Sequence, residues 1–143
     1  MQVSEIMSRD IVIVNPDETI VQVAKKMADN DVGFLPVGED DRLVGTITDR
    51  DIVVRCVAEG KDRDTRVRDI MSSDVKYCFE DEDIDHVTRN MGDIQVRRLP
   101  VVNRDKRLTG IVSLADTAQE KPSVAGSGLR RITTPSGAHN QVN

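Results

Sequence analysis

The chain has 143 residues, 38% hydrophobic and 31% charged, with a net charge of −5, which suits one globular domain or two small halves sharing a core. Its only aromatic residues are Phe34, Tyr77 and Phe79, so the core is expected to be aliphatic and the stacking platforms of single-strand nucleic-acid binders are nearly absent. The acidic balance disfavours a general nucleic-acid or acidic-membrane binder, no apolar run approaches the ~20 residues of a membrane span, and Met1-Gln2-Val3-Ser4-Glu5 lacks a signal-peptide pattern, so a cytoplasmic protein is expected.

The run Ile11-Val12-Ile13-Val14 predicts a first strand. A helix follows, with Ile20, Val23, Ala24, Met27 and Ala28 at helical spacing and Thr19 with Gln22 as a capping box. Two short strands near Phe34–Val37 and Leu43–Thr46 flank the turn Gly38-Glu39-Asp40-Asp41, and a second helix starts at Thr48. Residues 59–66 are a polar linker.

The same order then returns. Val75-Lys76-Tyr77-Cys78-Phe79 is extended, Asp83 caps a helix carrying Ile84, Val87 and Met91, strands span Arg97–Val102 and Leu108–Val112, and a helix starts at Ser113. Lys121-Pro122 ends that helix. The remainder is rich in Gly, Ser, Thr and Pro and predicts a flexible tail over 120–143, within which Leu129-Arg130-Arg131-Ile132 could dock on a neighbour.

The likeness is residue by residue. A shift of 64 carries Ile6-Met7-Ser8 onto Ile70-Met71-Ser72 and Leu35-Pro36-Val37 onto Leu99-Pro100-Val101. After one extra loop residue, a shift of 65 carries Leu43, Gly45 and Asp51 onto Leu108, Gly110 and Asp116. The chain is thus a duplicated β-α-β-β-α module, with repeats at 1–58 and 67–119. Each copy alone leaves one sheet face uncovered, which predicts an α+β fold in which the copies pack through their sheets about a pseudo-two-fold axis.

Each repeat closes on Gly-x-x-Thr/Ser-x-x-Asp: Gly45, Thr48, Asp51 and Gly110, Ser113, Asp116. A hydroxyl residue with an acid three positions on is an ordinary capping box. Both copies, however, use Asp where Glu or Gln is usual, and both place Gly where something can approach the strand closely. A hydroxyl at a helix start can donate to a phosphate, and an Asp one turn later can accept from the two adjacent hydroxyls of a ribose.

On Ile-Met-Ser, Leu-Pro-Val and Gly-x-x-Thr/Ser-x-x-Asp, in tandem over about residues 3 to 119, the chain resembles the CBS-domain family. The resemblance implies a paired (Bateman) module with two sites for adenine nucleotides or S-adenosylmethionine in a cleft between the copies. It assigns Thr48 and Ser113 to phosphate, Asp51 and Asp116 to ribose, Ile11, Val12, Val75 and Lys76 to the base, and Ile47 and Val112 to apolar walls. Arg98 is a candidate phosphate clamp, with strand alternation letting only one of Arg97 and Arg98 face the ligand, and Arg50 is a candidate for the first site. The sites are expected to be unequal.

No nucleophile–base pair or metal-ligand spacing stands out, Cys56 and Cys78 read as buried thiols, and no cofactor is required. The expected function is a stand-alone, non-catalytic sensor of AMP, ADP, ATP or S-adenosylmethionine. The family implies a homodimer through helix faces, here Ile52, Val53, Cys56 and Val57 and the helix after Ser113. The alternative is an interaction dimer with no nucleotide ligand, its motifs serving only as caps.

Overall fold

The computed structural model describes residues 1–134; the rest of the expected tail lies outside the described residues. The chain forms two compact units, Val12–Val75 (the first unit) and Met1–Ile11 together with the chain from Lys76 (the second unit). These divisions do not coincide with the sequence repeats. The Ile6-Met7-Ser8 segment of repeat one folds with repeat two, and Ile70-Met71-Ser72 of repeat two folds with repeat one.

In the first unit, α1 (Ile20–Asn30) opens on the predicted box: Thr19 Oγ1 accepts from the Gln22 N–H, and Gln22 Oε1 accepts from the Thr19 N–H. Ile20, Val23 and Met27 are buried, and Asp31 ends the helix in the left-handed region at φ 51°. Strands β1 (Phe34–Glu39) and β2 (Arg42–Thr48) pair antiparallel with Leu35 opposite Ile47. The two residues between them, Asp40 and Asp41, both have positive φ (54° and 63°), the mirror-image turn that matches hairpin twist.

The strand expected over Ile11–Val14 reduces to one parallel bridge, Val14 to Val37. Beyond Val14 the chain turns at once: Asn15 Oδ1 accepts from the Asp17 N–H, the Asn15 carbonyl accepts from the Glu18 N–H, and Pro16 has no N–H to continue a ladder. On the far edge Ser72 bridges to Thr46. After Thr48, α2 (Asp49–Asp51) continues through Ile52–Val57 with wider, π-type bonding, as in Ala58 N–H to the Val53 carbonyl.

The second unit repeats the plan. α3 (Ile84–Ile94) is capped by Asp83 and ends at Gln95 with φ 57°. The extended run narrows to β3 (Cys78–Phe79), parallel to β4 (Arg98–Val102), which pairs antiparallel with β5 (Leu108–Ser113). Ser8 extends this sheet by bridging to Ile111. α4 (Leu114–Glu120) stops before Lys121, as the Lys-Pro pair predicts. Each unit has its own aliphatic cluster, around Val23, Leu35 and Ile47 in the first and Val87, Leu99 and Val112 in the second.

The flexible tail expected from 120 onward is corrected over Pro122–Thr133, which is a helix, α5. Proline at its first position suits a helix start, and Ala125, Gly128 and Ile132 form a buried stripe. The small residues are packing surfaces: a Cβ on Gly128 would lie 3.1 Å from Thr88 Cγ2 and 3.3 Å from Leu114 Cδ1. Lys121 pairs with Asp85 at 2.8 Å, Arg131 pairs with Asp93, and the Gln95 amide donates to the Arg131 and Thr134 carbonyls. The segment Leu129–Ile132 thus docks on its own unit.

Candidate functional site

Both motifs are complete reciprocal caps. Thr48 N–H donates to Asp51 Oδ2 at 2.9 Å and Asp51 N–H donates to Thr48 Oγ1 at 3.1 Å. Ser113 and Asp116 repeat these bonds at 2.9 and 3.1 Å. All four side chains are half-buried. Each hydroxyl accepts a backbone N–H and keeps its own proton to give. Among the described residues nothing donates to Oδ1 of either carboxylate, so each acid keeps one oxygen with acceptor capacity.

The glycines of the motifs have a partner that the sequence did not reveal. A Cβ on Gly45 would meet Met71 Sδ at 2.7 Å and the Ser72 carbonyl at 2.8 Å; on Gly110 it would meet Met7 Sδ and the Ser8 carbonyl, both at 2.7 Å. The close approach is made by the Met-Ser segment that bridges to each sheet, not by a ligand.

Ile47 and Val112, expected as apolar walls, are fully buried within their own clusters. They alternate inward along β2 and β5 and serve as core residues. Ile11, Val12 and Val75 are half-buried and Lys76 is exposed; these residues lie at the two points where the chain passes from one unit to the other. Arg50 is exposed in the first turn of α2.

Charge divides the motifs more sharply than Arg50 alone suggests. The Asp49 N–H donates to the Gly33 carbonyl at 3.0 Å, and the Leu114 N–H donates to the Arg97 carbonyl at 2.9 Å. A carboxylate next to Gly33 in the first unit is thus replaced by an aliphatic side chain next to Arg97-Arg98 in the second. Arg97 and Arg98 line the same cavity as Ser113. β4 begins at Arg98, with Arg97 immediately before it. Asp49 stands inside the first motif in the sequence, but its contact with Gly33, like that of Leu114 with Arg97, was not legible there.

Cys56 and Cys78 are buried free thiols. Burial, with a smaller contribution from Glu82, pushes the Cys78 thiol up to about 12. Among the described residues no group of three or more His, Cys, Asp or Glu could hold a metal ion, and no helix is long and apolar enough to cross a membrane.

A family model described as CBS domain matches residues 3–57 and 67–120. An uncharacterized protein, MK0525, of Methanopyrus kandleri is 38% identical over 124 residues; the match covers 85% of this chain but 63% of that protein's length. The crystal structure of Hypoxic Response Protein I with two coordinated zinc ions superposes with a TM-score of 0.76 at 36% identity, over 84% of this chain and 98% of that one. The CBS domain pair of protein MJ0100, solved in complex with 5′-methylthioadenosine and S-adenosyl-L-methionine, superposes with a TM-score of 0.75 at 28% identity, over 86% of this chain and 97% of that one.

Proposed function

The chain belongs to the CBS-domain family as a tandem pair of repeats, and from that premise we propose that it is a non-catalytic sensor of a ligand carrying an adenosine group. One observation carries the reading: both motifs set a half-buried hydroxyl with a proton to give beside a half-buried carboxylate with an oxygen to spare. The hydroxyl suits a phosphate or another acceptor, and the carboxylate suits the paired hydroxyls of a ribose. Thr48 and Asp51 with Arg50 serve one site, and Ser113 and Asp116 with Arg98 the other. Ile11, Val12, Val75 and Lys76 serve the base. The adenosine compounds bound by the MJ0100 pair support the ligand class.

The sites differ in charge. Asp49 opposes a phosphate at the first motif, and Arg97-Arg98 attract one at the second, so AMP, ADP or ATP is assigned to Ser113–Asp116. The Thr48–Asp51 site suits a ligand without phosphate, such as S-adenosylmethionine. Calorimetric titration with each ligand tests this. Binding of at least one, lost in Asp116→Ala or Asp51→Ala, supports the reading; binding of none overturns it.

A second reading has an observation of its own. Both caps are complete and both glycines are occupied by Met-Ser segments, so the motifs have a structural use without a ligand. In that case the chain acts as a homodimer through the Ile52–Val57 segment, where Val53 and Val57 are 59% and 68% exposed. Sedimentation of Val53→Asp against the wild-type chain tests this face.

A further inference from the structure

The second unit contains an open cavity of about 380 Å³, within the range of small-molecule pockets. Its apolar walls are Leu114, Ala115 and Ala118 of α4 and Ala125 and Leu129 of α5. Its rim is polar: Arg97, Arg98 and Ser113. Asp116 does not line it. The cavity is therefore not the place where a ribose would meet the motif carboxylate.

Three features mark it as more than a gap between helices. Its room comes from small side chains: the 65-residue shift sets Arg50 and Val53 of the first unit where the second has Ala115 and Ala118. Its far wall is α5, which lies beyond the family match ending at residue 120. And its cations are unspent. Arg68, Arg104 and Arg131 pair with Asp17, Asp81 and Asp93. The guanidinium groups of Arg97 and Arg98, in a chain of net charge −5, have no acidic or hydrogen-bonding partner among the described residues.

From these we infer that the α4–α5 cavity binds a small amphiphilic anion, an apolar body ending in a carboxylate or phosphate. A purely apolar guest would leave two guanidinium groups unmatched at the rim. An inorganic anion would leave the 43%-exposed Leu129 uncovered. An amphiphile satisfies both, because a guanidinium holds carboxylate or phosphate oxygens in a bidentate fork, and the Ser113 hydroxyl has a proton to add. The site shares Arg98 and Ser113 with the nucleotide site proposed above, so a phosphorylated nucleotide and the amphiphile exclude one another there, while its apolar walls belong to α4 and α5 and Asp116, which does not line it, serves the nucleotide alone.

Octanoate titrated into the full chain, followed by calorimetry and amide NMR, tests the site. The expected result is saturable binding that shifts the Ala118 and Leu129 amides. Octan-1-ol and inorganic phosphate should bind at least about tenfold more weakly, since each supplies half of the match. Ala118→Phe, which fills the cavity from an exposed helix position, and Arg97→Ala should each lower octanoate affinity about tenfold without moving the melting temperature. Leu129→Ser is the second cavity variant should the phenylalanine disturb packing, with the same expected loss. Equal binding of octanoate and octan-1-ol, undiminished binding by Ala118→Phe and Leu129→Ser, or binding only to phosphatidylglycerol vesicles would overturn the inference.

Discussion

Met7 closes on Gly110: a Cβ on the glycine would sit 2.7 Å from the methionine sulfur and 2.7 Å from the Ser8 carbonyl oxygen. The neighbouring backbone explains the contact. Ser8 N–H donates to the Ile111 carbonyl at 2.9 Å and Ile111 N–H donates back to the Ser8 carbonyl at 3.0 Å, so the N-terminal segment is held to β5 beside the glycine. Met71, Ser72 and Gly45 repeat the arrangement in the other unit.

Gly110→Ala is therefore expected to lower stability by about 1–3 kcal/mol through overpacking, because a carbonyl, unlike a flexible sulfur, cannot step aside alone. Gly126→Ala is the control. A Cβ there meets nothing within 4 Å, so the helix α5 should gain about 0.5–1 kcal/mol. Chemical denaturation of the two variants checks the contrast, and equal effects would remove the close-approach account.

Asp51→Ala and Asp116→Ala each remove half of a reciprocal cap. Each should cost about 0.5–2 kcal/mol, the usual range for a lost cap. The binding prediction goes further: Asp116→Ala should abolish AMP-dependent stabilisation while Asp116→Asn, which keeps an acceptor oxygen for the cap, recovers most of the stability but not the binding. Melting curves with and without AMP separate the two roles, since only a ligand that prefers the folded state shifts the midpoint.

The duplication and the helix starts were legible because they rest on local chemistry, as at Thr19–Gln22 and Asp83. The exchange of Ile6-Met7-Ser8 and Ile70-Met71-Ser72 between units was not. Gly45 and Gly110 present the same surface to either segment, so the repeat pattern fits both pairings. Helix α5 was missed for a different reason. Its buried stripe is Ala125, Gly128 and Ile132, and small residues that permit close packing on Thr88 carry the same composition as a loop. At the motifs, residue types were legible, but the Asp49–Gly33 and Leu114–Arg97 contacts that set the local charge depend on tertiary structure.

Ile132 tests whether α5 is part of the unit. It is fully buried in the second cluster, so Ile132→Ala should cost about 2–5 kcal/mol, the range for emptying a core site. A mobile tail would give no measurable change in the denaturation midpoint.

Cys78 predicts a pH dependence. Its folded-state value, about 12 against an ordinary 9.0, is raised first by burial and then by Glu82. The native state therefore holds the thiol proton that the unfolded chain releases. The resulting stability is fully present below pH 9 and is lost as pH rises towards 12, by up to about tenfold in the folding equilibrium per pH unit. Cys78→Ser should flatten that alkaline slope. At pH 8 a disulfide reagent should modify the thiol only after denaturant is added, because the thiolate is the reactive species.

The hydroxyls of Thr88 and Thr117 lie 3.1 Å apart, both fully buried, joining α3 to α4 beneath Gly128 of α5. Valine has nearly the same shape but neither donates nor accepts. Thr88→Val or Thr117→Val alone strands the other hydroxyl without a partner and should cost about 1–3 kcal/mol. The double variant removes both polar groups and should recover most of the loss, giving a coupling energy of at least about 0.5 kcal/mol in a double-mutant cycle. Additive losses in urea denaturation would show that the two hydroxyls act separately, and that the seam under α5 is held by shape alone.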